Sequence, residues 1–230
     1  MTDSIDLLYH ESSEALFMGD LTGMFNEISE LLQKGKAKEI VAAVEKALSE
    51  GAAPADILEK GLIAGMSIIG GKFKNGDVFV PEVLIAARAM NKAAAALKPA
   101  LTEAGVKPVG KAIICTVKGD LHDIGKNLVK MMIEGKGIEV NDLGVDCPSE
   151  KIVEAVKNSD AKVLCLSALL TTTMPMQKET IDAIKAAGLR DKVKIMVGGA
   201  PMTQGYADEI GADAYSPDAA SAAEACLAFY

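Results

Sequence analysis

The stretch KAIICTVKGDLHDIG, residues 111–125, decides how the second half of this chain folds. Lys111–Val117 is a short apolar run that reads as a buried strand. Glycine and polar residues follow, and Ile124–Gly135 then takes up the apolar spacing of an amphipathic helix. Strand, loop and helix in that order form the repeating piece of a parallel sheet. The loop falls at the carboxyl edge of that sheet, where open α/β folds bind ligands. It holds His122, the only histidine outside the N-terminal tail. A neutral imidazole is a metal ligand at physiological pH. Asp120, two residues earlier, is placed to accept a hydrogen bond from the second ring nitrogen, which would fix the tautomer and raise ligand basicity.

Outward from this stretch the pattern repeats. Apolar runs at Ile138–Leu143, Lys162–Ser167, Lys192–Val197 and Ala212–Tyr215 alternate with helical stretches at Ser149–Asn158, Met174–Ala187, Thr203–Ile210 and Asp218–Ala228. Five such units predict an α/β, flavodoxin-like or Rossmann-like, five-stranded parallel sheet with helices on both faces and strand order 2-1-3-4-5. The first hundred residues read differently. Ile40, Val41, Val44, Ala47 and Leu48 recur at the helical interval until Gly51, and Pro54 suits the first turn of a helix reaching about Lys72. Gly61, Gly65, Gly70 and Gly71 within it cost helix stability, about 1 kcal/mol each if exposed, which suggests close approach of a backbone or a bulky ligand. Pro81 opens another helix, Glu82–Leu97. The expected organisation is an N-terminal helical bundle cap over 1–98, a Pro/Gly linker and hinge over 99–110, and an α/β domain over 111–230.

The 230 residues carry a net charge of −8 with the acidity spread along the chain, which disfavours nucleic acid and anionic membranes as partners. No apolar run is long enough to cross a bilayer, and Met1–Asp20 has five acidic residues and no Lys or Arg, unlike a secretory signal. A cytoplasmic protein is expected. Cys115, Cys147, Cys165 and Cys226 form no C-x-x-C pair, so a zinc site is not indicated, and Cys115 and Cys165 read as core residues.

Loops after four of the predicted strands carry residues fit for a ligand: Gly119–Gly125, Ser167–Thr173, Gly198–Ala200 and Ser216–Ala219. Glycine at these places lets backbone approach a bound group closely. A P-loop is excluded because five residues separate Gly119 from Gly125 and Asn127 lacks the hydroxyl that holds magnesium. There is no G-x-G-x-x-G after the first strand, and no acidic pair for a receiver domain. One histidine and one carboxylate are too few ligands for a bare metal, so the metal must bring most of its own. A corrin macrocycle does so.

The D-x-H-x-x-G of Asp120–Gly125, the S-x-L of Ser167–Leu169 and the G-G of Gly198-Gly199, in that order and preceded by a helical module, resemble the cobalamin-binding corrinoid proteins of anaerobic methyl-transfer systems, which are similar to the central modules of cobalamin-dependent methionine synthase. The resemblance runs from about Leu16 to the C-terminus. It implies a cobalamin cofactor whose own lower base is displaced and replaced on cobalt by His122, with Gly119, Leu121, Asp123, Ile124 and Gly125 around it. The freed nucleotide tail would enter a slot lined by Ser167, Leu169, Gly198 and Gly199, with Thr171 and Ala219 near it. Asp120 and the hydroxyl of Thr173, where the family usually has serine, would complete a triad with His122. Phe73 and Val80 match in spacing the Phe and Leu that shield the upper face of cobalt, Val80 being the smaller residue, and Glu59 matches a position near the corrin.

The resemblance further implies a methyl carrier cycling cobalt between Co(I) and methyl-Co(III), not a self-sufficient enzyme. It would be loaded by a substrate:corrinoid methyltransferase, unloaded by a second methyltransferase with a tetrahydrofolate or coenzyme thiol acceptor, and rescued by a reductive activase. Leu169–Met174 is similar to the methylamine and quaternary-amine branch. The alternatives are a subunit of an adenosylcobalamin mutase, which generally lacks the helical cap, and a cobalamin-sensing regulator, which would need a DNA-binding module.

Overall fold

The computed structural model describes residues 21–230. The acidic segment Met1–Asp20, and with it the start of the resemblance at Leu16, lie outside the described residues. Two compact units emerge. One takes 21–69 and Pro81–Lys107, and the other takes Gly70–Val80 with Pro108–Tyr230.

The first unit is helical. Helix α1 covers residues 21–33 and α2 covers Glu39–Ser49. The spacing read from the sequence buries Ile40, Val44 and Ala47 of α2, and Gly51 follows the helix at φ 88°. Helix α3 starts at Pro54–Asp56, continues as a π-helical Ile57–Ile63 and resumes as α-helix over Ala64–Asn75, its residues from Gly70 on, Phe73 among them, belonging to the second unit. Two of its four glycines, Gly61 and Gly65, admit helix α1 closely, whereas a Cβ on Gly71 would meet nothing within 4 Å. A Cβ on Gly61 would lie 2.9 Å from the Ile28 side chain, and one on Gly65 would lie 3.1 Å from the main chain of Ser29. Helix α4, Val80–Glu103, extends beyond the Glu82–Leu97 expected and passes through Pro99. Proline inside a helix removes one hydrogen bond and crowds the preceding turn. Here it falls near the C-terminal end, just after Leu97, which is fully buried and holds the helix to the core.

The second unit is the five-stranded sheet: β1 Gly110–Thr116, β2 Ile138–Asp142, β3 Val163–Ser167, β4 Lys194–Gly198 and β5 Ala214–Tyr215. All neighbours pair in parallel, in the order β2-β1-β3-β4-β5, as expected. Between them run α5 Ile124–Glu134, α6 Ser149–Lys157, α7 Met174–Ala186 and α8 Gln204–Ile210, with α9 Ala219–Leu227 last. Side chains alternate across a strand. Ile113, Cys115, Val117, Leu164, Leu166, Ile195 and Val197 join Ile152, Ile181, Ile184 and Ile210 of α6, α7 and α8 in one core. Ile114, Cys165 and Met196 therefore face the opposite side, with α5 and α9. The order reverses between β1 and β3, so the loops leaving these strands part and open a crevice at the carboxyl edge. Among the described residues no helix is long and apolar enough to cross a membrane.

Candidate functional site

The loop after β1 is pinned from several sides. The Thr116 hydroxyl donates to the carbonyl oxygen of His122 at 2.8 Å. The Gly119 N–H donates to Asp146 Oδ1 at 2.7 Å, and the Asp146 N–H returns a bond to the Asp120 carbonyl at 3.0 Å. Gly119 takes φ 80°, a conformation that favours glycine. Asp146 itself sits at φ 50°, the one non-glycine residue with positive φ among those described.

On this framework Asp120, fully buried, collects four donors. Oδ1 lies 2.7 Å from His122 Nδ1 and 3.1 Å from the His122 N–H. Oδ2 accepts from the Leu169 N–H and from the Thr173 hydroxyl, each at 2.7 Å. Burial pushes the Asp120 pKa up, but the bonds from Thr173, Leu169 and His122 outweigh it and hold the carboxyl well below the usual carboxylate range. An ionised acceptor at Nδ1 places the imidazole proton there. The lone pair is then on Nε2, and the ring is about half exposed at 49%. The Asp120, His122 and Thr173 constellation expected from sequence is thus assembled, with Thr173 reaching the carboxylate as a serine would.

Beside this ring opens a cavity of about 610 Å³ between α5, α9 and the sheet. Of the residues singled out in the sequence, Phe73, Leu121, His122, Asp123, Ile124, Gly125, Ser167, Leu169, Gly198, Gly199 and Ala219 line it. Asp120 and Thr173 are buried beneath the loop, and Gly119 forms the turn. Thr171 is exposed and outside the lining, as are Glu59 and the half-buried Val80. Gly199 serves a second neighbour besides the cavity. At φ 134°, its Cβ would fall 1.8 Å from the carbonyl oxygen of Ala168, so this glycine admits the main chain that follows β3. Gly125 is the reverse case: a Cβ there would meet nothing within 4 Å.

Sequence reasoning passed over three contributors. Thr116 was signalled by being the polar residue of an apolar strand. Asp146 was signalled by the carboxylates of Asp142–Asp146 after β2. Lys126, a lone charge at the start of an amphipathic helix, is 3% exposed and lines the cavity, its Nζ lying 2.6 and 2.7 Å from the two Asp142 carboxylate oxygens and 2.8 Å from Asn127 Oδ1. A buried cation persists when it is paired in this way.

The donor set suits a corrinoid. Among the described residues no group of three His, Cys, Asp or Glu side chains could hold a metal ion. His122 offers one oriented nitrogen, to a metal that arrives with its other ligands. Leu121 and Ile124, 72% and 76% exposed, and Leu169 and Leu170 give an apolar rim for a flat macrocycle. The cavity beside it can take an aromatic tail.

Comparison with known proteins agrees. Residues 110–227 and 24–98 each match a B12 binding domain. Dimethylamine corrinoid protein 3 of Methanosarcina acetivorans is 42% identical over 205 residues, covering 89% of this chain and 96% of that protein. Trimethylamine corrinoid protein 1 of the same organism is 44% identical over 185 residues, covering 79% and 86%. Among solved structures, a cobalamin-binding protein from Desulfitobacterium hafniense superposes with a TM-score of 0.75 at 33% identity, covering 90% of this chain and 98% of that one. A chain of the methanol:cobalamin methyltransferase complex from Methanosarcina barkeri gives 0.81 at 29% identity, covering 90% and 80%. With its motifs, its sheet and its relatives in accord, the chain belongs to the B12-binding corrinoid proteins, and its cofactor is a corrinoid.

Proposed function

We propose that this chain is a methyl carrier that holds its corrinoid through His122 Nε2, with the nucleotide tail displaced into the cavity, and that its methyl donor is a methylated amine. The observation that carries the reading is the His122 ring itself: one nitrogen is bound to a buried, ionised Asp120 and the other is open beside an apolar cavity. The bound corrinoid supplies a cobalt that accepts a methyl group from one partner and gives it to another.

The residues of the chain do the rest. Asp120 holds the proton on Nδ1 and, through two bonds to one carboxylate oxygen, fixes the ring plane. Charge-assisted hydrogen bonds of this kind contribute about 1.5–3 kcal/mol each, enough to hold a single rotamer. Thr173 and the Leu169 N–H keep that carboxylate from turning toward any other donor. Ile124 and Leu169, on the apolar lining beside His122, would shield the coordinating nitrogen from water once a corrinoid is held there.

The relatives named for dimethylamine and trimethylamine support an amine donor. The methanol:cobalamin methyltransferase complex supports a loading methyltransferase as partner. In this reading a second methyltransferase removes the methyl group and a reductive activase restores oxidised cobalt. Two steps test it. Ligand-free chain is titrated with hydroxocobalamin while the visible spectrum is followed, and a shift absent from His122→Ala is expected. The loaded, reduced chain is then given dimethylamine or methanol with the matching loading methyltransferase. Methylation from the amine supports the reading, and methylation from methanol alone overturns the donor assignment.

A further inference from the structure

The strand register divides the cavity floor into tiers. Thr116, Ser167 and Gly198 are paired across β1, β3 and β4 and form the outer row. One pleat deeper on the same face, Ile114 pairs with Cys165 and Cys165 with Met196. All three line the cavity and are 2%, 6% and 4% exposed. The next row, Ala112, Val163 and Lys194, is not part of the lining. The cavity therefore ends against Ile114, Cys165 and Met196, with Leu128 of α5 and Ala222 of α9 on its flanks.

This inner tier is poor in hydrogen-bonding groups. The main-chain groups of β1, β3 and β4 are used in the parallel ladder. The Cys165 thiol is engaged with that of Cys226 on α9. Ile114, Leu128, Met196 and Ala222 offer none, though the Met196 thioether packs well against an aromatic ring. The outer row is the polar one, through Ser167.

We propose, resting on the corrinoid reading above, that the Ile114–Cys165–Met196 tier selects the lower base of the cofactor, accepting a benzimidazole and disfavouring a purine. A benzimidazole presents carbon-bound hydrogens or methyl groups to this wall. An adenine would bury an exocyclic amine and ring nitrogens against it without partners. Leaving such groups unpaired in a site costs tenfold or more in affinity.

The test is equilibrium binding to the full ligand-free chain, followed by absorbance, with three probes: cobalamin carrying dimethylbenzimidazole, the cobamide carrying adenine, and cobinamide, which has no nucleotide. Cobalamin is expected to bind at least tenfold more tightly than the adenine form. Met196→Gln, which supplies a donor and an acceptor at nearly equal volume, is expected to bring that ratio below threefold, and Cys165→Ser to lower it in the same direction. Equal affinities of the two nucleotide forms for the unsubstituted chain would overturn the proposal while leaving corrinoid binding intact. A ratio unchanged in both variants would overturn the assignment to this tier. Failure of all three probes to bind would instead overturn the corrinoid reading, and this proposal with it.

Discussion

Replacing Gly125 with alanine separates the demands of folding from those of the ligand. Gly125 is the second residue of α5, its φ is not positive, and an added Cβ would find no heavy atom within 4 Å. For the ligand-free chain the change carries no clash, raises helix propensity and restricts the unfolded chain. Together these stabilise by about 0.5–1 kcal/mol. With a urea m-value of about 2 kcal/mol/M the midpoint moves up by about 0.25–0.5 M. Gly125 also lines the cavity beside His122, and in the proposed reading the added methyl group would crowd a corrinoid bound there. Overpacking a fitted contact by one methyl costs about 1–3 kcal/mol, or roughly 5- to 150-fold in Kd. Gly125→Ala is thus expected to be more stable in urea and a weaker binder of hydroxocobalamin in absorbance titration. Binding as tight as that of the unsubstituted chain would refute the placement of the ligand over this helix start. A lower urea midpoint would refute the folding half of the reasoning.

Gly199→Ala should do the opposite, destabilising the sheet unit by more than about 3 kcal/mol, because its Cβ would fall on the Ala168 carbonyl at a strained φ; thermal unfolding with no ligand present reads this. Thr173→Val removes one of the four donors to Asp120 and should cost about 1–3 kcal/mol in stability, with Thr173→Ser restoring most of it in chemical denaturation. Burial would raise the Asp142 carboxyl, but Lys126 and the Gly144 N–H hold it below its ordinary value. Its folded pKa being the lower one, its contribution is complete above the unfolded carboxylate pKa of about 4 and is lost as pH falls through the folded value. Acid unfolding curves should show this below about pH 4, and Lys126→Met should flatten that part of the curve.

Most of the α/β half was legible because its signals are local. Apolar runs bounded by glycine mark the strands, and β-α units of this length leave few topologies. The Asp120 and His122 pair was legible in its own loop, but Thr173 joined it only through the family motif, since nothing in the spacing requires residues 120 and 173 to meet. What escaped was set by tertiary contact. Gly199 carries no sequence mark showing that it must also admit the Ala168 carbonyl. Pro99 reads as a helix breaker, yet burial of Leu97 carries α4 past it. Lys126 reads as a solvated charge until β2 places Asp142 against it.

The account rests on His122 Nε2 being the nitrogen beneath cobalt. The decisive measurement is the electron paramagnetic resonance spectrum of the chain grown with nitrogen-15 histidine, loaded with unlabelled cobalamin and reduced to Co(II). The account predicts that the triplet splitting from one axial nitrogen becomes a doublet on labelling and disappears in His122→Ala. A triplet untouched by the label would mean that the cofactor's own base still binds cobalt, and would contradict it.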